Sequence, residues 1–143
     1  MNAYVKRDLY LNRLIVRRDN GQIKVVTGPR RSGKSFLLDP IYKDYLLSKG
    51  VPEDNIIIIS FDIEDEDTPQ ELLDREKLKE HLYSRIASQT ENYYVFLDEI
   101  QEVDGFERIV NGLNKRQNVD VYVTGSNSKF LSSEINTIFR GRS

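Results

Sequence analysis

Eight consecutive residues, Gly28-Pro29-Arg30-Arg31-Ser32-Gly33-Lys34-Ser35, fit the pattern G-x-x-x-x-G-K-[ST] in full. The chemistry that this spacing serves is the holding of phosphate groups. Gly28 and Gly33 let the chain turn tightly and bring main-chain N–H groups close to an anion. Lys34 adds an ammonium that bridges the β- and γ-phosphates of a nucleoside triphosphate, and the Ser35 hydroxyl is a ligand for Mg²⁺. With Phe36, the candidate nucleotide-binding residues run from Gly28 to Phe36. Arg30 and Arg31 occupy the variable part of this stretch. Either one adds charge to the phosphates, or both point outward to solvent or a neighbouring element. The plainer reading of the stretch is a glycine turn between a strand and a helix.

Asp98-Glu99 follows the apolar run Tyr93-Tyr-Val-Phe-Leu97. In a parallel nucleotide-binding sheet, ligands gather at the carboxyl ends of the strands. Asp98 there stands near Ser35 and holds Mg²⁺, usually through water. Glu99 orients and polarises the water that attacks the γ-phosphate. The plainer reading of the pair is a turn or helix cap. A third polar strand end, Thr124-Gly125-Ser126-Asn127, offers a small group to hydrogen-bond the γ-phosphate or that water. Ser126 is the first choice, with Asn127 and Thr124 behind it. Equally, these residues cap a helix starting at Phe130.

These groups need elements to position them. Residues 4–16 have helical spacing in Val5, Leu9, Leu14 and Ile15. Asp19-Asn20-Gly21 is a turn, and residues 22–27 read as a short buried strand running into the phosphate stretch. A helix follows with Leu37, Leu38, Ile41, Tyr45 and Leu46 on one side. Pro40 either kinks it or starts a second segment capped by Asp39, and Gly50 is a stop. Residues 55–61 form a continuous apolar run, as expected of a parallel strand covered on both faces. The acidic residues 62–67 lack defined metal-ligand spacing and read as a solvated loop. Thr68 and Pro69 look like a helix start, with Leu78, Leu82 and Ile86 turned inward and His81 exposed. Residues 105–116 are helical, 119–124 a fourth strand and 130–139 a last helix. Strands alternating with helices imply a three-layer α/β/α fold on a parallel sheet with right-handed crossovers.

Composition removes other chemistries. The 143 residues include no cysteine, which excludes disulfides, thiolate zinc sites and cysteine nucleophiles, and the single histidine, His81, argues against a serine–histidine triad or a multi-histidine metal site. No apolar stretch approaches ~20 residues and no apolar signal core opens the chain, so a soluble, cytoplasmic protein without a membrane partner is expected. The net charge is −2. Residues 1–34 carry nine Lys or Arg against two Asp, a local +7 that leaves −9 for the rest. That basic cluster permits a nucleic-acid partner, but no motif calls for one.

The set Gly28–Ser35, Phe96-Leu-Asp-Glu-Ile-Gln101 and Val123-Thr-Gly-Ser-Asn-Ser128 resembles the AAA+-like prokaryotic ATPases of the additional-strand class. Within them it is similar to the group that joins an N-terminal ATPase core to a separate C-terminal domain. The resemblance covers nearly the whole chain and implies ATP and Mg²⁺ as ligands, with the two motifs in the Walker A and Walker B roles. It implies the sheet order 5-1-4-3-2. Only four strands are legible here, so the expectation is one domain over 1–143, truncated before the fifth strand, with visible order 1-4-3-2. Residues 1–20 form a helical segment and 21–143 the α/β core of a longer protein whose C-terminal domain is absent. The resemblance places an arginine finger, acting in trans within a homo-oligomer, at Arg142 or next at Arg140; the alternative is an arginine paired with a helix dipole. It also brings the N-terminal segment close to the loop, which makes Tyr10 or Leu11 candidates for an adenine pocket.

The leading expectation is Mg-dependent hydrolysis of ATP, with Glu99, Lys34, Ser126 and Arg142 as the catalytic set, coupled to the missing domain or a partner. The rivals are a nucleotide-switched binding module without turnover and a kinase passing the γ-phosphate to a small acceptor.

Overall fold

The computed structural model describes residues 3–126, with side chains from residue 8 onward. Helix α1 (Ala3–Val16) leads through the turn at Asp19 to strand β1 (Lys24–Thr27). A short helix α2 (Lys34–Phe36), a widened turn (Leu37–Tyr42) and α3 (Lys43–Ser48) follow. Then come β2 (Ile56–Ser60), α4 (Arg75–Arg85), β3 (Tyr93–Asp98), α5 (Phe106–Asn114) and β4 (Val119–Gly125). The four strands pair in parallel in the order β1-β4-β3-β2. This is the expected α/β class and the expected order.

The period-2 alternation of the strands decides which layer each side chain enters. Ile57, Ile59, Tyr93, Val95, Leu97, Val119, Val121 and Val123 pack against Leu78, Leu82 and Ile86 and against Phe106, Ile109, Val110 and Leu113. Ile56, Tyr94, Phe96 and Tyr122 face the opposite layer, with Leu14, Leu37, Leu38, Tyr42 and Leu46. Apolar side chains on both faces explain why β2, β3 and β4 read as near-continuous hydrophobic runs.

Local chemistry sets the breaks. Asp39 is extended (φ −135°, ψ 111°) because the residue before a proline is pushed out of the helical region. Helix α3 ends with Val51 N–H bonded to Leu46 O (3.2 Å) and Gly50 N–H to Leu47 O (3.1 Å), the paired bonds of a glycine stop. Two expectations need correction. Thr68 does not cap a helix; its hydroxyl donates to Asp62 O (2.6 Å), and α4 is capped six residues later by Asp74, which accepts from Lys77 N–H (3.1 Å). Leu9 is 50% exposed, so α1 docks through Leu14, with Leu11 and Ile15 packed against the same cluster.

The strand ends carry the polar exceptions. Lys24 and Asp120, at the amino ends of β1 and β4, form a buried ion pair (2.5 Å). Tyr122 donates to Asp120 (2.5 Å), which leaves Tyr42 as the donor to Tyr122 (2.6 Å). Asp19 N–H also donates to Asp120 (2.9 Å), and Tyr94 donates to the Asp19 carboxylate (2.9 Å). At the carboxyl ends lie Ser60, Asp98, Thr124 and Ser126.

Candidate functional site

The turn between β1 and α2 is held by residues suited to it. Gly28 has φ +154°, and a Cβ there would sit 3.1 Å from Ser32 Oγ; Gly33, at the mouth of α2, has φ +97°. Both conformations lie where L side chains are strained. Arg31 is also left-handed (φ 62°). Ser32, Gly33 and Ser35 are exposed, while the Lys34 side chain is buried at the centre of the turn. Lys34 Nζ donates to the carbonyls of Gly28 (2.9 Å) and Pro29 (2.8 Å), and lies 3.4 Å from Glu99 Oε2.

Parallel pairing then brings distant residues to this turn. Thr27 stands opposite Gly125, and Ser60 opposite Asp98. Asp98 Oδ2 accepts from Ser35 Oγ (2.7 Å) and from Ser60 Oγ (3.2 Å). Its Oδ1 accepts from Thr124 Oγ1 (2.6 Å), and the same hydroxyl accepts from Glu99 N–H (2.9 Å). Glu99 is 3% exposed and left-handed (φ 55°), where β3 ends and the turn Ile100–Glu102 begins. Its Oε1 accepts from Ser126 Oγ (2.7 Å) and Gln101 Nε2 (2.9 Å).

Of the sequence candidates, Gly28, Pro29, Gly33, Lys34, Ser35, Asp98, Glu99 and Ser126 thus converge at the carboxyl ends of β1, β3 and β4. Arg30 turns to neighbouring carboxylates: Nη1 bonds Asp62 (2.8 Å) and Nη2 bonds Glu102 (3.2 Å). Burial alone would lower its pKa, but Glu99, Asp62, Glu102 and Glu64 together raise it. Arg31 points outward to Glu64 (3.4 Å). Phe36 is 47% exposed beside Ser35. Tyr10 is exposed, with the Arg13 guanidinium over its ring. Arg140 and Arg142 lie outside the described residues, as does Asn127.

Four partners escaped the sequence reading. Ser60 was legible in principle, as a hydroxyl ending an apolar strand. Asp62 and Glu102 were not, because nothing local separates them from other surface acids. Gln101 stands in the motif that carried the resemblance, yet its contact with Glu99 needs the left-handed turn.

The donor set suits a hard cation. Ser35 and Asp98 offer oxygens only, and Mg²⁺ takes one or two protein oxygens and fills its remaining positions with phosphate and water. No cluster of three or more acidic, histidine or cysteine ligands occurs among the described residues. No helix among them is long and apolar enough to cross a membrane.

Comparison with known proteins agrees with this geometry. The family model described as an AAA domain matches residues 20–143. An uncharacterized protein of Haemophilus influenzae is 39% identical over 140 residues, 98% of this chain and 34% of its own length. An uncharacterized protein of Methanocaldococcus jannaschii is 38% identical over 122 residues, 85% of this chain and 25% of its own length. The chain therefore spans about a third of one relative's length and a quarter of the other's. Among solved structures, that of C. elegans PCH-2 superposes with a TM-score of 0.60 at 12% identity, covering 95% of this chain and 41% of the other, a likeness of fold. With its parallel sheet in the order 1-4-3-2 and its phosphate-type turn facing an Asp-Glu strand end, the chain belongs to the AAA domain family and is a nucleotide-binding core of the AAA ATPase type.

Proposed function

We propose that the chain binds Mg-ATP and hydrolyses it, within a longer protein whose remaining part the hydrolysis moves. The observation that carries this reading is the 2.7 Å bond from Ser35 to Asp98 beside the buried Lys34–Glu99 pair. It joins a strand-to-helix turn to the end of another strand in the arrangement that phosphate and a hard cation require. Main-chain N–H groups of residues 28–35 and the start of α2 hold the phosphate oxygens. Lys34 exchanges its carbonyl partners for phosphate, and Ser35 with Asp98 holds Mg²⁺. Held there, the ion would supply positive charge that offsets the charge of the phosphates. Glu99 takes a proton from water as the water oxygen bonds the γ-phosphorus; the β–γ bridging bond breaks and ADP leaves with its electron pair. Ser126, bonded to Glu99, stands where it senses that change.

Tyr10 or Leu11 is the proposed lining for the adenine base, and Arg142 is the proposed finger supplied to a neighbouring copy. A switch without turnover is the second reading, favoured by the complete pairing of Glu99 in the observed state. Turnover measured against protein concentration separates the two: a rise with concentration supports a finger in trans, whereas negligible turnover with tight binding supports the switch. Phosphate released without an acceptor argues against a kinase.

Calorimetry of Mg-ATP with the native chain and with Lys34→Ala is the primary test. The expected result is at least a tenfold loss of affinity in the variant. Equal binding by both would remove the site assignment.

A further inference from the structure

Gln101 lies in the turn directly after Glu99 and is 1% exposed. Its Nε2 donates to Glu99 Oε1 (2.9 Å). Its own Oε1 is the buried side-chain polar atom that, among the described residues, has no hydrogen-bond partner. Reversing the amide does not cure this, because it would set two acceptor oxygens against each other. A buried acceptor without a partner is a cost that an apolar side chain of similar shape avoids. What the amide supplies, and methionine cannot, is the donor to Glu99.

That donor has a geometric consequence. Ser126 Oγ and Gln101 Nε2 both hold Oε1, from just past the end of β4 and from the turn after β3. Oε2 is the oxygen left facing Lys34, 3.4 Å away, and through it the phosphate turn. We propose that Gln101 is a positioning residue: with Ser126 it fixes the Glu99 carboxylate so that Oε2 is the oxygen presented as base. This rests on the reading of Glu99 given above. Gln101 touches neither nucleotide nor water in this scheme and acts only through Glu99.

The test uses the full-length protein with Gln101→Met, Glu99→Gln and the double variant. Phosphate release, Mg-ATP affinity by calorimetry and the thermal midpoint are measured together. Gln101→Met is expected to lower kcat at least tenfold, part of the effect of a well-placed base. KM and ATP affinity stay within about threefold, because the phosphate turn is untouched. The midpoint stays within about 4 °C of the native one, or rises, because the unpartnered acceptor goes with the amide. Added to Glu99→Gln, the substitution costs nothing further. An unchanged kcat overturns the proposal. So does full additivity with Glu99→Gln, or a joint loss of kcat, affinity and about 10 °C of midpoint, which would mark a merely structural side chain. If the native protein neither binds nor hydrolyses ATP, the reading of Glu99 falls by itself. The clamp is then decided by crystal structures of the native and Gln101→Met proteins: a rotated Glu99 in the variant supports it, and an unmoved one overturns it.

Discussion

Thr124 shows how much a single hydroxyl holds at this site. It is fully buried, accepts from the Glu99 N–H and donates to Asp98 Oδ1. Valine has nearly its shape but would leave the N–H unpaired and deprive a carboxylate of a donor. Thr124→Val is therefore expected to lower the unfolding free energy by about 2–3 kcal/mol. Thr124→Ser, which keeps the hydroxyl, should lose less. Urea denaturation of both variants reads this, and equal losses would contradict it. The same accounting explains why the adjacent carboxylates Asp98 and Glu99 are tolerated at 7% and 3% exposure. Between them they accept from four hydroxyls and an amide, with Lys34 beside Glu99.

At the scale of elements, polar residues at strand and helix ends set where the layers start. Asp74 caps α4 through the Lys77 N–H, and that helix contributes Leu78 and Leu82, both fully buried, to the core. Asp74→Ala is expected to cost about 1 kcal/mol, read as a lower denaturation midpoint with an unchanged denaturant slope. Arg30 joins three loops, since it leaves the phosphate turn to reach Asp62 after β2 and Glu102 after β3. The acidic residues 62–67, read from sequence as a solvated loop, are thus tied to the site through Asp62.

For the molecule as a whole, four of the nine basic residues of 1–34 are engaged by partners within the chain. Lys24 is paired inside the sheet, Lys34 is buried in the turn, and Arg30 and Arg31 are taken by carboxylates. The buried group around Lys24 and Asp120 governs the response to alkaline pH. Burial pushes the hydroxyls of Tyr42, Tyr94 and Tyr122 well above the ordinary value of 10.0. The unfolded chain therefore releases three protons above pH 10 that the native state keeps, and stability falls as pH rises. Lys24 acts in the opposite sense: burial lowers its pKa from 10.5, so the unfolded chain holds that proton longer. Three against one leaves a net decline, at about 1.4 kcal/mol per pH unit for each unbalanced proton. Urea midpoints between pH 8 and pH 11 should fall steeply above pH 10, and a flat profile would contradict the assignment.

Sequence by itself determined the class of fold, the strand positions and the phosphate turn. Runs such as Ile56–Ile59 and Tyr93–Leu97 exist because both faces of a parallel sheet are buried, and that demand is written locally. The turn is legible because its glycines and lysine are contiguous. Tertiary structure alone decided which side chains meet. Lys24 finds Asp120 96 positions away, Ser35 finds Asp98 63 away, and Arg30 finds Asp62 and Glu102. Such pairings follow from register and crossover geometry, which no local spacing encodes. The clamp of Gln101 and Ser126 on Glu99 depends further on one left-handed residue at the end of β3, a backbone choice that becomes favourable only once Thr124 is in place to receive its N–H.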